Sequence, residues 1–251
     1  MGKIVAIGGG EIGRPGYPVE TLAIDKRIVE LTGKKNPKVL LIPTASKDSE
    51  LYYPVVQKHF GERLGCKVDV LYLIRDKLSI KEIRRKILST DIVYVGGGDT
   101  GFMLRIWRKK RVDKILKEAY EKGIVLSGVS AGAICWFKYG SSDTKKFKDE
   151  EDKRLTRLSC LGLVNLTVSP HHTRELHRKI GIIEIMKRTS GVAVALDDNC
   201  ALEIVDGKYR VISSKEESNA HKVYYKGSKL VYVLIPKEKD FSSLSYLLSK
   251  Q

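Results

Sequence analysis

The sequence has no C-x-x-C pair, no long apolar run and no excess of acid. Its four cysteines, Cys66, Cys135, Cys160 and Cys200, lie far apart. That spacing argues against a zinc cluster or a disulfide framework and leaves them as small buried hydrophobes. Apolar runs such as Lys38–Ile42 and Ile92–Val95 are far too short to cross a bilayer, so no membrane is expected as a partner. The N-terminus enters a strand pattern directly, without a signal-peptide layout, and the expected location is cytoplasmic. Acids are outnumbered: 30 Asp and Glu face 46 Lys and Arg, a net charge of +16. Such a surplus can attract polyanions. Here, however, the bases are spread along the chain and interleaved with acids. The densest run, 105–117, includes Ile106, Val112, Ile115 and Leu116, as on a helix whose charged face is solvated. No RNP motif, zinc finger or other reading module is present, and no nucleic acid is expected as a partner.

What is present is the make-up of a globular protein: 251 residues, 42% hydrophobic and 30% charged, enough for one large α/β domain or two small ones. Lys3–Ile7 reads as a buried strand closed by Gly8-Gly9-Gly10, and a helix is expected from near Pro18 to about Leu31, since proline is tolerated in a first turn. Strands follow at Lys38–Ile42, 68–73, Ile92–Val95 and from Ile124, with helices over 51–64, Ile80–Leu88 and 112–122. Ser79 and Glu82 have the capping-box spacing. Near-continuous apolar strands in such a series indicate a parallel sheet covered by helices on both faces. After about residue 138 the texture changes. A charged stretch at 145–157 precedes a strand at 166–168, a helix over 175–188, and short strands at 192–196, 202–205, 209–212, 222–225 and 230–235. Asp206-Gly207 and Lys226-Gly227 mark hairpin turns. No break suits a linker, so residues 1–251 read as one domain: a doubly wound, mainly parallel α/β sheet with C-terminal antiparallel hairpin strands.

The stretch that carries chemistry is Gly128-Val129-Ser130-Ala131-Gly132, a G-x-S-x-G between a strand and an apolar helical run, the setting a nucleophile elbow requires. A serine on such a strained turn is approached closely by neighbouring chain, and the flanking glycines carry no Cβ to clash. The N–H of Ala131 points to where an oxyanion would form. Gly96-Gly97-Gly98 leaves the preceding strand and can offer a second N–H, or be a plain β-to-α turn. A serine needs a base. His171 and His172 follow Pro170 after a strand signal, where a base could reach the elbow. Metal binding by His172 and His177, five residues apart, fits one helix face poorly, and no metal is expected.

Taken together, Val95-Gly96-Gly97-Gly98-Asp99-Thr100, Gly128-Val129-Ser130-Ala131-Gly132-Ala133 and Ser169-Pro170-His171-His172-Thr173 resemble the peptidase E (S51) family of serine dipeptidases, which includes aspartyl dipeptidases and cyanophycinase. The resemblance implies a flavodoxin-like fold, similar to class I glutamine amidotransferases, with serine at the elbow where those enzymes carry cysteine. It implies Ser130 as nucleophile, His171 as general base and the N–H groups of Gly98 and Ala131 as oxyanion hole, with no cofactor. For the third member of the triad, Asp143 and Asp198 both match acids of the family, and the sequence does not choose between them. Asp198 is preferred because it follows a core strand; Asp143 then serves site architecture or substrate binding. Family members specific for N-terminal aspartate carry an arginine in a longer loop after the histidine. Here the chain runs quickly to Arg174 and Arg178, which with Asp99 are the candidate substrate-binding residues. The implied partner is a small peptide, and a homodimer is compatible with the sequence.

Other classes compete. Gly8-Gly9-Gly10-Glu11-Ile12-Gly13 satisfies G-x-G-x-x-G after the first strand, the place of a dinucleotide-binding fingerprint. Pro15, Gly16 and Pro18 interrupt the helix that should begin there, and no acid follows the second strand for a ribose. An α/β-hydrolase esterase would share the Ser–His chemistry, but that fold usually places its histidine near the chain end, whereas 80 residues follow His171. A non-catalytic member of the same fold would keep the elbow without a working base.

Overall fold

The computed structural model describes residues 2–147, 149–152, 154–173 and 176–251. Strands β1 (Lys3–Ile7), β2 (Lys38–Ile42), β3 (Lys67–Val70), β4 (Ile92–Val95) and β5 (Val125–Val129) pair in parallel, in the order β3-β2-β4-β5-β1. The first four of these positions follow the 2-1-3-4 order of a flavodoxin-like sheet, and the chain's first strand takes the fifth place. Alternate residues of each strand face opposite sides. Val5, Ile7, Val39 and Leu41 meet Ile24 and Ile28 of α1 (Leu22–Glu30), Val56 of α2 (Tyr52–Val56) and Phe60 of the π-type turns that continue it over Gln57–Arg63. On the other face, Ile4, Leu40, Val93 and Leu126 meet α3 (Ile80–Leu88), α4 (Thr100–Lys109) and α5 (Val112–Glu121). The helices covering both faces make the sheet doubly wound.

A short α6 (Ala131–Ile134) leaves β5 and leads into β6 (Phe137–Ser142), the first strand of a second sheet. With β7 (Thr156–Ser159), β8 (Val164–Ser169), β9 (Ala193–Leu196), β12 (Ala220–Lys226) and β13 (Lys229–Ile235) it forms the order β13-β12-β9-β8-β6-β7. One side, with Phe137, Val168, Val194 and Leu196, joins the larger core; the other packs Ala193, Ala195 and Val223 against Ile182 and Met186 of α7 (Leu176–Lys187). The intervening β10 (Cys200–Val205) and β11 (Lys208–Ser213) return to the first sheet, antiparallel beside β1, and end at β14 (Ser242–Ser243) before α8 (Leu244–Leu248). Among the described residues no helix is long and apolar enough to cross a membrane.

Local chemistry accounts for most boundaries. The Ser79 hydroxyl accepts from the Glu82 N–H, and the Glu82 carboxylate accepts from the Ser79 N–H, a closed box that stabilises the start of α3 by about 1 kcal/mol. Asp206 and Gly207, both at positive φ, turn β10 into β11 as a tight hairpin requires. The structure also departs from expectation. The helix anticipated from Pro18 begins only at Leu22, because an Ile12–Val19 bridge holds the preceding loop extended. The apolar stretch after the elbow stays helical for four residues only. Trp136 and Phe137 then enter the core as β-structure, which aromatic residues favour, and Gly140 leaves room for the Ile134 side chain. The basic run at 105–117 spans two helices broken at Arg111, which sits at φ +58°. Trp107, Val112 and Leu116 point inward, with Arg105, Lys109 and Lys114 exposed.

Candidate active site

The elbow forms where β5 stops. Ser130 has φ +58° and ψ −110°, a conformation that costs a non-glycine residue on the order of 1–3 kcal/mol and persists only where its surroundings fix it. They do: the Ser130 N–H donates to the carbonyl of Ile7 on β1 at 3.1 Å, and a Cβ at Gly128 or Gly132 would overlap the Val95 carbonyl. Among the described residues, three of the seven non-glycine positions at positive φ are Ser130, His171 and Asn199. They converge here from three different loops.

His171 Nε2 lies 2.9 Å from Ser130 Oγ, and His171 Nδ1 lies 2.5 Å from Asp198 Oδ1. A carboxylate only accepts, so the ring proton belongs on Nδ1, leaving the Nε2 lone pair toward the serine hydroxyl. Both side chains keep some solvent access, 18% for His171 and 22% for Asp198. Backbone contacts hold the two loops: the His171 N–H donates to Gly8 O at 3.1 Å and the Asn199 N–H to Gly9 O at 2.9 Å. Gly9 itself lies so close beneath the pair that a Cβ there would overlap Asp198 Oδ1 and crowd His171 Nδ1. The glycine run after β1 is therefore the seat of the His–Asp pair. It differs from a dinucleotide fingerprint, in which the glycine turn opens directly into a helix, because α1 starts only at Leu22.

Gly97 packs against Ser130, and its N–H donates to the hydroxyl of half-buried Tyr52 at 3.2 Å; desolvation pushes that phenol above its usual range. Gly98 follows at φ +137° with no room for a Cβ beside the Ala45 carbonyl. No protein acceptor among the described residues takes the N–H of Gly98 or of Ala131.

The remaining sequence candidates divide. Asp143 does not join His171 but meets Arg178 Nη2 and Lys146 Nζ, each at 2.7 Å. Burial raises its pKa, yet the two cations outweigh that and hold the carboxyl below its usual range. Arg178 is buried, with its guanidinium engaged by Asp143. Asp99 is the N-cap of α4, accepting from the Phe102 N–H at 3.0 Å and from the Thr144 hydroxyl. Arg174 lies outside the described residues. Among the described residues no three His, Cys, Asp or Glu side chains are grouped to hold a metal ion. A separate cleft between residues 149–157 and α7, lined by Arg157, His177 and Glu184 among others, includes none of Ser130, His171 and Asp198.

Sequence reasoning did not anticipate two neighbours of the site. One is Tyr52, which fixes the Gly97 loop. The other is a ring cluster behind His171, in which His172 Nε2 bonds the Tyr232 hydroxyl and both rings stack near His221. A signal for the glycine seat did exist, in three glycines followed by no helix. A second His–Asp pair lies between α1 and the Gln57–Arg63 turns: His59 Nε2 is 2.8 Å from Asp25 Oδ2, both fully buried, and Arg63 reaches His59 Nδ1 at 2.9 Å.

The profile of Peptidase family S51 matches residues 4–212. The chain is thus a peptidase of α/β fold. It belongs to Peptidase family S51. It is 31% identical over 244 residues to the Uncharacterized peptidase YgaJ of Bacillus subtilis (strain 168), a match covering 94% of this chain and 98% of that one. Among solved structures, the fold is shared with a peptidase from an acI-B1 Actinobacterium (TM-score 0.71, 18% identity, 97% of each chain). It is shared also with a protein from Listeria monocytogenes EGD-e that carries the peptidase E name (TM-score 0.63, 22% identity, 85% of this chain and 98% of that one).

Proposed function

We propose that this chain is a cytoplasmic serine-type peptidase that hydrolyses short peptides through an acyl-enzyme on Ser130. The observation that carries the reading is the continuous line from Asp198 through His171 to the Ser130 hydroxyl, at 2.5 and 2.9 Å. His171 removes the hydroxyl proton as Oγ attacks the peptide carbonyl, and Asp198 fixes the ring and stabilises the imidazolium that forms. The N–H groups of Gly98 and Ala131 receive the oxyanion. The imidazolium then protonates the leaving amine, and the same nitrogen activates the water that releases the acid. Asp143 and Arg178, paired with each other, shape the wall of the site instead of the proton line. Four free cysteines accord with a reducing compartment, and a core cluster drawn from both sheets supports a single domain over residues 1–251.

The test is a dipeptide library, Asp-X, Glu-X and Lys-X first, against the wild-type chain and Ser130→Ala. Hydrolysis by the wild type should vanish in the folded variant, and a fluorophosphonate should label Ser130 alone. Full activity of Ser130→Ala on a cleaved dipeptide overturns the assignment.

A further inference from the structure

His171 stands at φ +54°, a left-handed backbone that a histidine adopts only when its surroundings impose it. The imposition comes from both sheets. The N–H of His171 is held by Gly8 at the end of β1, and that of His172 by Leu196 at the end of β9, at 3.0 Å. The peptide between the two histidines is thereby stretched across the junction of the sheets, and the His172 side chain is its anchor. That ring is 1% exposed, lies 5.4 Å from the His221 ring and 5.7 Å from the Tyr232 ring, centroid to centroid, and bonds Tyr232 through Nε2. Among the described residues its Nδ1 has no partner, so Tyr232 provides its side-chain hydrogen bond. Lys179 of α7 lies over the opposite partner, 4.9 Å from the Tyr232 ring centroid.

We propose that His172, clamped by Tyr232, is a positioning residue that locks the backbone of His171 in its left-handed form and so keeps the His171 imidazole between Ser130 and Asp198. It bonds neither Ser130 nor Asp198 and takes no proton in the reaction. The second histidine of the pair thus turns the catalytic one, from a seat in the second sheet. This deepens the peptidase reading and rests on it for its effect on rate, although the seating of His171 is measurable without any chemistry.

Two readouts on the full chain test it. The first is the rate at which a fluorophosphonate labels Ser130, per folded molecule, across pH 5–9. The second is the low-field proton resonance of the His171 Nδ1–H on Asp198. Tyr232→Phe, which removes one hydroxyl and keeps the ring, should slow labelling about 10-fold and shift or broaden that resonance, since sub-ångström misplacement of a catalytic group costs up to roughly 10²-fold. His172→Phe should do more, and His172→Gln, which can still bond the Tyr232 hydroxyl, should recover most of the rate. The pH profile should keep its shape in all three, because the groups facing His172 (Tyr232, His221 and Lys179), with Asp197 acting on His221 and Tyr232, bear on this cluster and not on the proton transfer. Labelling within twofold of wild type in both Tyr232→Phe and His172→Phe, with an unmoved resonance, overturns the proposal, as does a loss that disappears once the folded fraction is counted. If wild-type Ser130 is never labelled while the resonance still responds to Tyr232→Phe, the positioning stands and the peptidase mechanism falls.

Discussion

The molecule holds two His–Asp pairs, one at the elbow and one between α1 and the Gln57–Arg63 turns, and they differ in what faces the far nitrogen of each imidazole. His59 sits in the core with Asp25 on Nε2 and Arg63 on Nδ1. A guanidinium can only donate, so Nδ1 must accept and the ring proton is committed to Asp25. Thr21 closes the arrangement with a 2.6 Å bond to the same carboxylate, and both side chains of the pair are fully buried. His171 has the same carboxylate partner, but its other nitrogen meets a hydroxyl and its surface reaches solvent. One pair ties α1 to the π-type turns beneath the sheet. The other has a lone pair to spare. Charge and composition alone would not distinguish them; the difference lies in tautomer and access.

The largest contrast should appear on removing the carboxylate charge. Asp198→Asn should slow hydrolysis and fluorophosphonate labelling about 10⁴-fold, by favouring the wrong tautomer of His171, with little change in the melting midpoint. Asp25→Ala should do the reverse, leaving labelling per folded molecule unchanged while destabilising the fold by about 3–5 kcal/mol in urea titration, since the buried His59 N–H loses its partner. If Asp25→Ala silences Ser130 in folded protein, the two pairs are not functionally separate. A third histidine sharpens the contrast through pH. Burial first, then His221 and Lys179, lower the pKa of His172 from 6.5 to about 4; burial lowers that of His221 as well. Between those two values the unfolded chain binds more protons at His172 than the folded one does. This contribution to stability is thus complete above pH 6.5 and should be lost as pH falls toward 4. Urea midpoints measured from pH 7.5 to 4 should show the fall, and His172→Gln should flatten it. The smallest effect belongs to Arg63→Met, expected to cost about 1–3 kcal/mol by leaving His59 Nδ1 unsatisfied, with no change in labelling.

The parallel half of the fold was legible because its inner strands Lys3–Ile7, Lys38–Ile42 and Ile92–Val95 are buried on both faces and closed by glycine or proline, so period and punctuation agree there; the edge strand β3 is only half-buried. The elbow was legible for the same reason. The second sheet was less so: Trp136 and Phe137 continue an apolar run that reads equally well as helix, and β7 hides in a charged stretch at the sheet edge. The choice between Asp143 and Asp198 lay beyond reach, since each acid is placed by a partner distant in sequence, Arg178 for one and His171 for the other. The use of Gly9 was hidden likewise, because the atoms that need its missing side chain belong to residues 171 and 198.

The position of β1 between β5 and β10 sets an order of events during synthesis. This strand must wait for residues 125–129 on one flank and 200–205 on the other, so its closure depends on contacts of high sequence separation, which form slowly. Until the chain has been extended past Val205, the floor under Asp198 and His171 is unfinished. The seat of the His–Asp pair is thus finished only once both flanks of β1 are in place.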